Sequence, residues 1–200
     1  VVDKNLKFRY KIQSRVDLLL QQDTIDALAE SGVDSVWVGA ESGSQKILDA
    51  MDKGTTVAQI REATGLLHKK GIKVGFFLQF GYPGEMKEDI DKTIEMILDL
   101  MPDEVGISIS YPLPGTKFYE NVKDQLNDKQ NWSDSDDLDM MFHSTFNNAY
   151  YRQLQRYVHS VYQKHRSYHY LRKIFSDPLR LTAKEIRSGL TTFYYIPTSF

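Results

Sequence analysis

Ser35-Val36-Trp37-Val38-Gly39-Ala40-Glu41-Ser42-Gly43-Ser44 decides how the rest of the chain is read. Val36, Trp37 and Val38 form a short apolar run suited to a strand buried on both faces. Gly39, Glu41, Ser42 and Gly43 then break the run, because small and polar residues cannot continue it. A carboxylate therefore stands just past the carboxyl end of a core strand, between two glycines. In α/β folds that edge is where ligands bind. The plainer alternative is a loop in which Ser42 or Ser44 caps the next helix and Glu41 favours its dipole.

Working outward, Phe8 to Ser14 alternates apolar and polar residues and reads as a strand, with Arg15 at its carboxyl end. Asp23 reads as an N-cap, Ile25, Leu28 and Ala29 as a helical face, and Gly32 as the stop. Beyond the central stretch, Thr56 and Gln59 form a capping box before a helix faced by Val57, Ile60, Ala63 and Leu67. Lys69 and Lys70 suit its negative end, and Gly71 closes it. Val74 to Phe80 is the next strand, ending in Gly81-Tyr82-Pro83-Gly84-Glu85. The helix after it has Glu88 and Asp89 in its first turn, a stripe of Ile90, Ile94, Ile97 and Met101, and Pro102 beyond. A fourth strand, Val105 to Ile109, ends in Tyr111-Pro112-Leu113-Pro114-Gly115-Thr116.

Strands alternating with helices predict βαβ units and a parallel sheet. The last three strands all end in Gly- or Pro-rich loops. Loops gathered at strand carboxyl ends favour a partial (β/α) TIM-like barrel of about four parallel strands, with its site on that face. An open doubly wound sheet is the alternative. Residues 1–126 would form this barrel part, 127–145 an acidic linker or loop, and 146–200 a helical, basic, aromatic-rich carboxyl-terminal extension.

Of the 200 residues, 41% are hydrophobic, enough to bury a core. The net charge of −2 hides an asymmetry: residues 1–149 carry 16 Lys and Arg against 25 Asp and Glu, whereas 150–200 carry 9 against 2. There is no cysteine, hence no disulfide, thiolate metal site or cysteine nucleophile in this chain. The apolar segments are too short to span a bilayer, and the expected compartment is the cytoplasm. Val1-Val2-Asp3-Lys4-Asn5 has neither an initiator Met nor a signal-peptide pattern, and reads as the interior of a longer protein.

Asp134, Asp136 and Asp137 faintly suggest a calcium loop, but Leu138 replaces a ligand and the required Gly is missing, so a solvated loop is the reading. From Phe146 onward, Tyr150, Leu154, Tyr157, Val158, Val161, Tyr162 and His165 fall on one helical face, with Arg152, Arg156, Gln163 and Arg166 elsewhere around it. A docking helix is expected. Interleaved Arg and Tyr would suit nucleic acid, yet no recognised nucleic-acid motif accompanies them. The five histidines contain no HExxH-type pair, so no protein metal site is expected.

Two glycine-flanked acids, Glu41 and Glu85, thus follow neighbouring strands. A carboxylate pair at one barrel mouth could hydrolyse a glycoside. Glycines also let backbone approach a ligand closely, which suits holding a nucleoside-like molecule better.

Gly39-Ala40-Glu41-Ser42-Gly43-Ser44, Leu48, Lys53-Gly54-Thr55-Thr56, Gly71-Ile72-Lys73-Val74, Gly81 to Glu85 and Pro112 to Thr116, in series over about residues 8–120, resemble the radical SAM superfamily. The likeness is to the branch carrying a cobalamin-binding domain, with cyclase- and methyltransferase-like iron–sulfur oxidoreductases. It implies a partial (β/α)6 barrel, of which this chain supplies roughly the third to sixth strands. It also implies S-adenosylmethionine and a 4Fe-4S cluster as cofactors of the parent protein, cobalamin as a further one, and a small-molecule substrate. By the resemblance, Glu41 contacts S-adenosylmethionine, accepting hydrogen bonds from ribose hydroxyls or the ammonium. Ser42 and Gly39 adjoin it, and Lys53 meets the methionine carboxylate. Lys keeps the charge of the family's frequent Arg but loses the bidentate fork. Gly81 and Pro83 belong to the turn that packs beside the adenine, and Arg15 could face the same mouth.

The chain departs from the family in having no cysteine triplet for the cluster. The piece alone is therefore expected to be inert, and the missing amino-terminal part of the same protein is its expected partner. Two other functions are kept: a non-catalytic barrel domain for nucleotide or protein binding, and a carboxylate-pair hydrolase using Glu41 and Glu85.

Overall fold

The computed structural model describes residues 8–126, 140–176 and 182–191. The chain divides into two compact units, Val1–Gln153 and Leu154–Phe200.

The first unit is built on four parallel strands: β1 (Tyr10–Ser14), β2 (Val33–Glu41), β3 (Lys73–Phe80) and β4 (Glu104–Ile109), hydrogen-bonded in that order. Between them run α1 (Val16–Leu19), α2 (Thr24–Ser31), α3 (Gln45–Ala50), α4 (Val57–Lys69) and α5 (Lys87–Leu100). Strand order equal to chain order, with right-handed crossovers, places every connecting helix on one face. That is the wall of a TIM-like barrel; a doubly wound sheet would reverse its order midway. The sheet is parallel, as the alternating pattern predicts.

Register assigns each side chain to a face. Val36 pairs with Val74, and Val38 with Phe76, and these four are almost wholly buried beneath the helices. Ile47, Leu48, Ile60, Leu67, Ile90 and Ile97 meet them from the helix side. The opposite face carries Gln13, Trp37 and Gly75 in one row, and Gly39, Phe77 and Gly106 in the next.

Several boundaries differ from expectation. β2 extends well beyond Val36–Val38 and includes Glu41, because Ala40 is still buried in the ladder. β1 starts at Tyr10 rather than Phe8. The Thr56–Gln59 capping box forms as predicted. Asp23 occupies the N-cap position of α2, but with φ of 60° and no side-chain bond, so it caps by place only. In α5 the buried face is Ile90, Thr93, Met96 and Ile97, while Ile94 is only half-buried. The short helices α1, α3 and α6 (Lys117–Val122) carry too little periodicity to be read from sequence.

Met141 and Phe142 are buried with Val122, beside Tyr111, Phe118, Leu126 and Met140, while His143 and Thr145 are exposed. The acidic stretch 127–139, with Asp134, Asp136 and Asp137, lies outside the described residues.

α7 (Asn148–Ser176) runs from the first unit into the second, which also contains α8 (Ala183–Leu190). The buried stripe of α7 is Tyr151, Leu154, Val158 and Tyr162, at spacings of three and four. Tyr157 and His165, assigned to that face from the sequence, are exposed, and Tyr151 takes the place of Tyr150. A 29-residue helix has room for two candidate faces, and a one-residue shift chooses between them. Within the second unit a Cβ on Gly189 would stand 2.9 Å from Leu171 N, so α8 approaches α7 closely there. The Ser167 and Thr191 hydroxyls are joined at 2.8 Å. Among the described residues no helix is long and apolar enough to cross a membrane.

Candidate functional site

The carboxyl tip of β2 is distorted in a specific way. The ladder with β3 slips between Gly39 and Glu41, so one residue is extra on β2. Glu41 has φ of 56°, and Ser42 N–H donates back to Ala40 C=O across it. This is a γ-turn with its central residue in the left-handed region, a conformation that costs a non-glycine residue about 1 kcal/mol or more. The turn folds the Glu41 side chain back over Gly39: a Cβ on Gly39 would stand 2.7 Å from Glu41 Oε1. A side chain at position 39 would have to push that carboxylate aside.

Lys53 Nζ donates to Glu41 Oε1 at 3.1 Å, from the loop after α3. Asp52 and Gly54 on either side both have positive φ, 56° and 62°, which makes this loop tight enough to bring Lys53 in. Glu41 Oε2 is buried and has no hydrogen-bond partner. Leaving one oxygen of a buried carboxylate unpaired is costly. Arg15 forks onto Asp17 with bonds of 2.9 and 3.0 Å, and a Cβ on Gly54 would lie 3.9 Å from its guanidinium. Glu41, Lys53, Gly54 and Arg15 thus stand together at one edge of the sheet.

The serines after Glu41 hold the loop. Ser42 is wholly buried; its hydroxyl meets Thr93 at 3.2 Å and accepts from Ser44 N–H at 3.1 Å. Ser44 donates to Asp89 at 2.7 Å rather than capping α3, and neither serine caps that helix. A Cβ on Gly43 would come 2.7 Å from Thr93 Cα, so α5 and the tip of β2 touch through backbone. Asp89 binds the loop to α3 and α5: it also accepts from Lys46 Nζ at 2.7 Å and Met86 N–H at 3.0 Å. Burial alone would raise its pKa, but the bonds from Lys46, Ser44 and Met86 outweigh it and hold the carboxyl down to about 2.

After β3, Gly81 to Glu85 forms the predicted tight turn. Glu85 N–H donates to Tyr82 C=O, Pro83 sits at the second turn position and Gly84 has φ of 82° at the third, the chemistry of a type II turn. Tyr82 OH reaches back to Ala50 C=O at 2.8 Å. Gly81 has φ of 83°, and a Cβ there would run into Met140 and lie 3.2 Å from the Tyr151 ring.

Glu85 does not cap α5; Asp89 does, by accepting from Met86 N–H. Glu85 is fully buried, with Oε2 accepting from Gly81 N–H at 2.6 Å and Oε1 unpartnered. Burial pushes its pKa up to about 7, against the relief of that one bond. Burial likewise pushes the Tyr151 phenol up to about 12. The Trp37 and Phe77 rings, which sequence reading passed over as core, face away from the helices at a centroid distance of 4.6 Å. Their signal in the sequence was the glycines at 75 and 106, legible only once register is known.

The class of protein is therefore set: a TIM-like barrel wall of four parallel strands, with an acid and a lysine paired at the strand tips. The radical SAM superfamily profile matches residues 3–97. The chain is 30% identical over 121 residues to the anaerobic magnesium-protoporphyrin IX monomethyl ester cyclase of Cereibacter sphaeroides, covering 60% of this chain and 20% of that protein. Among solved structures, Elp3 of Methanocaldococcus infernus aligns at TM-score 0.56 and 25% identity, covering 77% of this chain and 32% of that one. TsrM, a radical S-adenosylmethionine methyltransferase of Kitasatospora setae solved with cobalamin and a 4Fe-4S cluster, aligns at TM-score 0.53 and 22% identity, a likeness of fold. It covers 59% of this chain and 23% of that one.

Residues 3–97 of this chain, which hold β1 to β3, belong to the radical SAM superfamily. The chain spans only a minor part of the length of the proteins it matches, 20% of the cyclase and 32% of Elp3.

Proposed function

We propose that this chain supplies part of the S-adenosylmethionine-binding wall of a longer radical SAM enzyme of methyltransferase or cyclase type. One observation carries the proposal: the Glu41 carboxylate is turned inward by a strained γ-turn, with one oxygen held by Lys53 and the other buried without a donor. An orphaned carboxylate oxygen at a strand tip fits the ribose hydroxyls or ammonium of the cofactor. Lys53 fixes the carboxylate and offers its remaining protons to the methionine carboxylate. Arg15, beside Gly54, stands at the same edge with its charge met by Asp17. Gly39, Gly81 and Pro83 keep backbone close to where the adenosyl moiety would lie, and Ser42 holds the loop in register with α5.

Bound S-adenosylmethionine supplies a sulfonium whose carbon–sulfur bond breaks on taking up one electron. This chain's residues bind and orient it. A thiolate-bound cluster does not fit here, because there is no cysteine among the 200 residues. Its ligands, and any cobalamin, belong to the remainder of the protein, and the chain by itself has no electron source. The two-acid hydrolase loses its second acid, since Glu85 is closed off from solvent.

Equilibrium dialysis of labelled S-adenosylmethionine against this chain tests the reading. Glu41→Gln is expected to weaken binding roughly 10- to 100-fold, as charged hydrogen bonds of about 1.5–3 kcal/mol imply. Unchanged affinity would overturn it, as would 5′-deoxyadenosine formation by this chain alone. Binding by the whole protein without turnover would favour a non-catalytic nucleotide-binding domain.

A further inference from the structure

The middle of the sheet's inner face is cleared of side chains in a pattern, while Lys11 and Glu104 meet across that face at 4.0 Å beside the Trp37 row. In one row Trp37 pairs with Gly75; in the next Phe77 stands between Gly39 and Gly106. A Cβ on Gly75 would lie 2.5 Å from Trp37 Cε2 and 2.8 Å from Cε3, so the indole rests directly on that glycine. A Cβ on Gly106 would lie 3.3 Å from Trp37 Cζ3 and 3.5 Å from Phe77 Cδ1. The indole therefore lies flat across β3 toward β4, and Phe77 adjoins it at an interplanar angle of 34°. Core packing does not need this arrangement, since the helix-covered face is the other one. Phe77 keeps 37% of its surface exposed. The platform is continuous with the strand-tip acid, because Gly39 flanks Phe77 in its row and lies beneath the Glu41 carboxylate.

We propose that Trp37 and Phe77 form the substrate platform of this barrel, taking a flat conjugated ring system that stacks on the indole. The inference rests on the cofactor reading of Glu41, which places the reactive end of the barrel immediately above. A flat ring gains from aromatic faces over and above the area it covers, whereas a globular apolar group of equal size does not. The three glycines leave room for such a molecule to lie parallel to the sheet. Gln13 and Glu104, the two ends of the Trp37 row, supply polar edges.

The test uses this chain carrying Trp132→Phe, which leaves Trp37 as its single indole. Acridine at pH 8 is the planar probe and adamantan-1-ol the non-planar control. Acridine is expected to quench Trp37 emission saturably, and tenfold more adamantan-1-ol should not displace it. Phe77→Leu, which keeps the apolar bulk but removes the ring, should weaken acridine about tenfold with S-adenosylmethionine dialysis unchanged. If that variant loses its circular dichroism, Gly106→Ala, which tilts the indole, is read the same way. Absence of quenching, displacement by adamantan-1-ol, or equal affinity in the variant overturns the platform and marks the face as covered by another part of the chain. Should acridine behave as expected while Glu41→Gln leaves S-adenosylmethionine binding intact, the cofactor reading fails and the platform stands.

Discussion

Glu41 and Glu85 stand in the same local grammar, a strand followed by glycines and an acid, yet the fold gives them opposite environments. Glu41 has a cation on one oxygen and an open valence on the other. Glu85 has no cation in contact; one backbone N–H meets it, and burial pushes its carboxyl up to about 7. The first keeps one oxygen without a hydrogen-bond partner beside a lysine. The second is a turn-closing group that folds best with its proton on. What sets the two strand-tip acids apart is what the next loop brings, here Lys53, and not their flanking glycines.

The largest expected effect separates the two tips. Gly43→Ala forces a Cβ into the backbone at Lys92 and Thr93 of α5, and should cost about 3 kcal/mol in urea unfolding. It should also release Glu41 while leaving the Glu85 turn intact. A loss below about 1 kcal/mol would mean the β2 tip is not wedged against α5.

Next is the titration of Glu85. Its native pKa of about 7 lies above the ordinary 4.5, so between these values the native state holds more protons than the unfolded chain. Stability contributed by the protonated carboxyl is complete below pH 4.5 and is lost as pH rises through 7. Glu85→Gln should flatten that decline and raise stability at pH 8 by about 2 kcal/mol, with little change at pH 4.5. A parallel pH profile for variant and wild type would show that Glu85 is not dry.

Smaller effects sharpen the contrast between the loops. Gly84 also has positive φ, but nothing lies within 4 Å of a Cβ placed there, so only backbone strain opposes substitution. Gly84→Ala should cost about 1 kcal/mol, well below Gly43→Ala, by the same measurement. Lys53→Met should cost about 1 kcal/mol, since the lysine is part-exposed but the buried Glu41 carboxylate would be left with neither oxygen bonded. A loss below about 0.3 kcal/mol would show that the pair contributes nothing to the fold.

Much of the fold was legible in the sequence. The order of strands and helices, the Thr56–Gln59 box, the turn at Gly81–Glu85 and the acid at the end of β2 all follow from neighbours within about five residues. The failures share a cause. Ser42 and Ser44 looked like caps because their hydroxyls could reach nearby backbone, but Thr93 and Asp89, more than forty residues on, take them instead. On α7 the sequence found Leu154, Val158 and Tyr162 but drew the face too wide, with Tyr157 and His165, and took Tyr150 for Tyr151, because periodicity finds an amphipathic face without fixing its edges.

By itself, then, the sequence determined a parallel α/β wall with an acid at a glycine-rich strand tip, because strand alternation, caps and turn chemistry are local properties of the chain. Only the tertiary structure decided that Glu41 is paired and half-open, that Glu85 is sealed, and that Trp37 lies flat on Gly75. Those outcomes depend on which strand stands beside which and in what register, and residues distant in the chain meet only when the sheet has closed its rows.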